Sequence, residues 1–261
     1  MSATTLTAPI PADIAGAHTR PGLGRLVTVE LRKILDTRAG FWMQVATVAV
    51  TALVVIVRLA VGDAADHTFA SVLTVGLKPA AVLLPVAGIL LVTSEWSQRT
   101  GMITFALVPV RSRVVGAKLI ASLVLAGALF AVSVGIVAAG VLVASPSADG
   151  TWADAATLIG QSAVDLGAGM LTGVAFGMVL LASAPAIVAL FALPIVWTAV
   201  ASLSFLAGAA PWLDTRLAFG PLSQEVLSTT QWAHVGTAAA LWMLLPLLIG
   251  TWRITRREVA A

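Results

Sequence analysis

The chain has no cysteine, which excludes disulfides, thiolate metal sites and cysteine nucleophiles. Charge is scarce: Asp, Glu, Lys and Arg make up 10% of the residues, where soluble globular chains run at about a quarter. The three histidines, His18, His67 and His234, lie far apart and show no metal-ligand spacing. There is no GxxxxGK[ST] loop for ATP, no HExxH helix for zinc and no GxSxG turn for a nucleophilic serine. Carboxylates and histidines form no compact hydrolytic set. The expectation is a chain that is not an enzyme by itself and binds no cofactor of its own.

What fills the sequence is apolar. Hydrophobic residues reach 59% and the mean hydropathy is +1.00, so lipid is the solvent for most of the chain. The fold class expected is an all-α integral membrane protein with six transmembrane helices, each run holding the roughly 20 residues a crossing needs. The runs are 41–61, 69–94, 115–144, 155–183, 185–209 and 232–252. The fourth and fifth nearly fuse, and Pro185 marks the expected turn between them. Residues 1–20 read as a disordered cytoplasmic tail without the apolar core of a secretory signal. Residues 21–261 read as one six-span domain.

Orientation follows from the basic residues. Arg20, Arg25, Arg32, Lys33, Arg38, Arg99, Arg111, Arg113, Lys118, Arg253, Arg256 and Arg257 fall on one side, and Arg216 alone on the other. Twelve against one makes both termini and the loop after the second span cytoplasmic. The opposite loops carry Asp63, Asp66, Asp149, Asp154, Asp214 and Glu225. Trp42, Trp96 and Trp252 fall at inner boundaries, and Trp152, Trp212 and Trp232 at outer ones, as aromatic belts do. The sequence pI near 10.2 does not point to nucleic acid, because the basic residues flank apolar runs instead of forming one stripe.

Several segments carry more than a crossing. In 22–38, Leu23, Leu26, Val27, Leu31, Ile34 and Leu35 recur at helical spacing, with Arg25, Glu30, Arg32, Lys33 and Asp36 elsewhere on the wheel. This pattern predicts an amphipathic helix lying in the headgroup plane. The external segment 210–231 is too apolar for a solvated loop, and short helices returning toward the outer leaflet are expected there. Gly169, Gly173 and Gly177 form a small-residue ladder in the fourth span, and Gly127, Ala131, Gly135 and Ala139 form one in the third. Both are read as helix contact faces, within the chain or between copies. Pro79, Pro85, Pro194 and Pro246 are candidate bending points.

Three ionisable residues fall within spans. Arg58 is near the outer end of the first and can snorkel. Lys78 and Asp165 lie at similar depths in the second and fourth, where they either pair or line a polar cavity. An ion-coupled secondary transporter using Lys78 and Asp165 is the alternative functional reading, although the six spans show no clear inverted repeat.

The segment 95–118, EWSQRTGMITFALVPVRSRVVGAK, is the most elaborate polar connector. Glu95 ends the second span, and Arg99, Thr100 and Gly101 follow. An apolar patch precedes Pro109, and Arg111, Arg113 and Lys118 come after it. A short amphipathic helix around 101–108 would present apolar side chains to a protein groove. Together with VELRKILDTRAGFW at 29–42, the stretch SEWSQRTGMITFALVPVRSRVVGAKLIAS at 94–122 resembles the membrane (permease) subunits of type-2, exporter-like ABC transporters. The six-span layout is similar as well. The resemblance implies an elbow helix at 22–38 and a coupling segment seated on a separate ATP-binding subunit. Glu95, Arg99, Gly101, Pro109, Arg111, Arg113 and Lys118 would belong to that segment. It further implies two copies of the ATPase, with ATP and Mg on that partner, and a homodimer or a dimer with a related permease. The location implied is the plasma (inner) membrane. Cargo is left open among drugs, lipids, peptides and ions.

Overall fold

The long apolar runs become six helices that are long and apolar enough to cross a membrane. A computed structural model describes residues 22–63, 67–97, 110–144, 150–201, 203, 206 and 208–256. Arg99, Gly101 and Pro109, and the tail 1–20, lie outside the described residues. Every element among those described is helical.

Helix α1 spans Leu23–Leu35 and α2, the first span, Arg38–Val61. Thr37 makes the corner between them: its hydroxyl accepts from Gly40 N at 3.1 Å, capping α2, and donates to Ile34 O at 3.1 Å. The second span divides into α3 (Phe69–Gly76) and α4 (Lys78–Ser97). The break at Leu77 follows from Pro79, which has no N–H to continue the ladder. The third span is α5 (Arg111–Ala144) and the fourth α6 (Ala155–Leu180). The fifth is α7 (Ser183–Ala201). The chain enters α7 through Leu181, whose φ of 55° is left-handed and whose N–H caps Gly177 O at 2.9 Å. Pro185 therefore sits in the first turn of α7 and does not itself make the corner.

The fifth helix is shorter than expected, ending at Ala201 rather than 209. An apolar stretch suits a tight turn in an apolar setting as well as it suits a helix. Here Leu206 N bonds Leu203 O and Ala209 N bonds Leu206 O, folding the chain back toward the bundle. Short helices α8 (Ala210–Leu213) and α9 (Thr215–Phe219) and a 3-10 turn (Gly220–Ser223) follow. The sixth span contains α10 (Thr229–Ala239), a π turn (Ala240–Leu244) and α11 (Leu245–Arg256). It opens on a capping box made by Ser228 and Gln231.

The packing is turned outward in the way a lipid setting favours. Along α2, the buried positions are Gly40, Gln44, Thr47, Thr51 and Val55, while Trp42, Leu53, Ile56 and Val57 are exposed. Polar and small residues face the neighbouring helices, and large apolar ones face outward. The second span is the most buried and the fifth the least. The tightest seam joins α4 to α6. A Cβ on Gly173 would fall within the backbone of Pro85, and one on Gly177 would lie 3.2 Å from Ile89 Cα. Gly88 answers from α4, where a Cβ would meet Met170 O at 2.6 Å. The fourth-span ladder is thus an intrachain contact face. The third-span ladder is not: Gly127, Ala131, Gly135 and Ala139 are exposed, and a Cβ on Gly127 or Gly135 meets nothing within 4 Å.

Candidate functional site

At one end of the bundle, α1 lies across the C-terminal turn of α4 and the N-terminal turns of α5, the two stems of segment 98–109. Its inward face carries Glu30, which is 4% exposed. Four charges alternate there. Lys33 Nζ is 2.8 Å from Glu30 Oε1 and 2.5 Å from Glu95 Oε1, and Lys118 Nζ is 2.6 Å from Glu30 Oε2 and 3.1 Å from Glu95 Oε2. Lys118 also donates to Leu91 O at 3.4 Å. Each charge has two opposite neighbours, so the net charge of the square is zero, and the geometry offsets the desolvation of buried Glu30, Glu95 and Lys118, while Lys33 is half-buried. Burial pushes the Lys33 ammonium down. Its hydrogen bonds to Glu30 and Glu95 and their charges outweigh that, holding it above the ordinary lysine range.

The square unites Glu95 and Lys118, both expected from the resemblance to be coupling residues, with Glu30 and Lys33, which the sequence places off the apolar stripe of an amphipathic helix in the headgroup plane. Glu30 is buried between α4 and α5. Arg111 is used differently, donating to Ile254 O at 3.3 Å. It thereby satisfies a carbonyl at the C-terminus of α11. Arg253 does the same for Val179 O at the end of α6. Arg113 is half-buried beside the stem.

Toward the other end of the bundle, α4, α6, α7, α9 and the π turn enclose a cavity of about 230 Å³. Among the described residues, Asp165 is the one charged residue lining it. Lys78 is exposed on α4, and its charge acts on Asp165, but the two form no ion pair. Arg58 is half-buried near the far end of α2. A second cavity of about 470 Å³, lined by apolar side chains of α6, α7 and the sixth span, shares Phe176 and Trp242 with the first.

The segment 208–228 closes this end. Gln161 Nε2 donates to Leu222 O at 3.1 Å and Glu225 O at 2.7 Å, and Gln161 Oε1 accepts from Leu227 N at 2.9 Å. Thr74 Oγ1 donates to Ser223 O at 2.7 Å. Asp214, 2% exposed, caps α9 by accepting from Arg216 N and Leu217 N and takes a 2.7 Å bond from Thr198 Oγ1. Short helices are present within 210–231, with part of their backbone satisfied by side chains of the spans. Gln161 and Thr74 had no sequence signal, since one polar residue inside an apolar run does not name its partner. No group of three or more His, Asp or Glu able to hold a metal ion occurs among the described residues.

No protein-family model matches the chain, and no curated protein matches it.

Proposed function

We propose that the chain is the permease subunit of an ATP-driven, type-2 exporter-like ABC transporter. It works as a dimer with two copies of a separate ATP-binding subunit. The observation that carries this reading is the charge square. A connector that only joined two spans would need no such anchoring. Here both stems of 98–109 are clamped to α1 by buried, alternating charges. A push on that segment from a partner would move α1, α4 and α5 as one body and would not be absorbed at the helix ends.

In this reading the basic end faces the cytoplasm and α1 is the elbow, with exposed Leu23, Val29 and Leu35 in the inner leaflet. ATP and magnesium belong to the partner. The fourth-span ladder is used within the chain, so contacts between copies fall on other faces. The test is affinity purification from native membranes in mild detergent, followed by an assay for ATP hydrolysis. A stoichiometric nucleotide-hydrolysing partner is expected, and Lys118→Met should lower the cargo moved per ATP hydrolysed. A chain that brings down no such partner across several detergents overturns the reading.

A further inference from the structure

The cavity at Asp165 is rich in acceptors and poor in donors. Asp165 makes no hydrogen bond to another described residue. Two prolines on two spans add to it. Pro85 and Pro194 have no N–H, so the carbonyls of Ala81 and Leu190 lack the donor an α-helix supplies. Ala81 and Leu190 both line this cavity. Two of the donors nearby are already spent: Trp242 Nε1 bonds Leu213 O at 2.8 Å, and the Thr172 hydroxyl bonds Ala168 O at 2.8 Å. The π turn at Ala240–Leu244 carries Trp242 into the wall, the kind of local irregularity that recurs at functional sites.

A carboxylate with deprived backbone carbonyls is complemented by a cation that carries N–H donors. The aromatic rings of Phe176, Phe219 and Trp242 at the same wall favour a cation further. About 230 Å³ holds a small head group. The adjoining apolar cavity of about 470 Å³, which shares Phe176 and Trp242 with the first, holds an apolar body. We infer that this pair of cavities binds amphipathic amines in their protonated form, with the ammonium at Asp165 and the apolar body between α6, α7 and α11. Lys78 opposes this binding. It does not line the cavity, and its charge acts on Asp165 from outside.

If the exporter reading holds, such amines are its cargo. The test uses the chain alone, so its failure leaves the coupling reading standing, and absence of an ATPase leaves this one standing. The full chain in lipid nanodiscs is titrated at neutral pH with 4-phenylbutylamine, 4-phenylbutanol and 4-phenylbutyrate, with empty nanodiscs subtracted. The amine is expected to bind saturably, at least about tenfold tighter than the alcohol, and the carboxylate not at all. Asp165→Asn should weaken the amine about tenfold or more, Asp165→Glu should largely restore it, and Lys78→Met should tighten it. Equal affinity for amine and alcohol, unchanged affinity in Asp165→Asn, or loss of binding in Lys78→Met overturns the inference. Should Asp165→Asn fail to fold, the amine-to-alcohol comparison on the unaltered chain decides.

Discussion

Lys118 Nζ sits 2.6 Å from Glu30 Oε2 across 88 positions of sequence, with 5% of each side chain exposed. This contact joins the first helix to the third span, and Glu95 and Lys33 complete the square around it. Removing Lys118 leaves two buried carboxylates sharing one ammonium. Lys118→Met should therefore cost about 3–5 kcal/mol. Adding Glu30→Gln removes one charge of each sign and leaves the Lys33–Glu95 pair intact, so the double variant should be more stable than Lys118→Met alone. Thermal unfolding in detergent measures the stability. Tryptic cleavage after Arg32 reports release of α1.

The pH dependence of α1 docking follows from Lys33. Its folded-state affinity for the proton is raised above the ordinary lysine value of 10.5. The contribution is then complete below the unfolded value and is lost only as pH rises through the higher folded one. Spin labels on cysteines introduced at Val29 and Leu123, both exposed, should report one unchanged distance distribution from pH 7 to about 10. Broadening should set in only above that. Lys33→Met should weaken docking at neutral pH and remove the alkaline transition.

Two glycines separate the two small-residue ladders. Gly173→Ala drives a methyl into the backbone of Pro85 and should cost about 1–3 kcal/mol through forced separation of α4 from α6. Gly135→Ala meets open space and should be neutral or slightly stabilising, by roughly the helix-propensity gain of up to 1 kcal/mol. Unfolding of both variants in the same detergent measures the difference. A Gly173→Ala chain as stable as the unaltered one would mean that the seam yields.

That contrast shows what the sequence could and could not say. Length and apolarity are local properties, and they marked all six spans. Spacing of small residues is also local, and it marked both ladders alike. Which ladder is packed depends on what stands opposite: Pro85 opposite Gly173, Ile89 opposite Gly177, and nothing opposite Gly135. The same holds for Glu30. The apolar stripe of α1 puts it at the border of the polar face, and only Glu95 and Lys118, far along the chain, explain why it turns inward. The prolines were legible as candidate bending points, and the span divides beside one of them, Pro79. The bearing of Pro85 and Pro194 on one cavity depends on distant elements meeting, which no window of sequence contains.

At the opposite end, Gln161 holds the returning segment by three hydrogen bonds to Leu222 O, Glu225 O and Leu227 N. Gln161→Leu fills the same space and leaves those three backbone groups without that partner. Each group left unsatisfied costs about 1–3 kcal/mol, and the loss falls on segment 208–228 instead of on the bundle. The α4–α6 seam, held by Gly88 and Gly173, does not touch Gln161 and should stay intact. Hydrogen exchange should therefore speed up at 217–228 in Gln161→Leu while amides of α6 below Gly169 stay protected. Phe219 and Thr215 line the Asp165 cavity, so loosening this segment should also open the cavity. A cysteine at Thr215 would then react faster with a water-soluble maleimide than in the unaltered background. Uniform acceleration of exchange through α4 and α6 would instead mean that Gln161 supports the bundle as a whole.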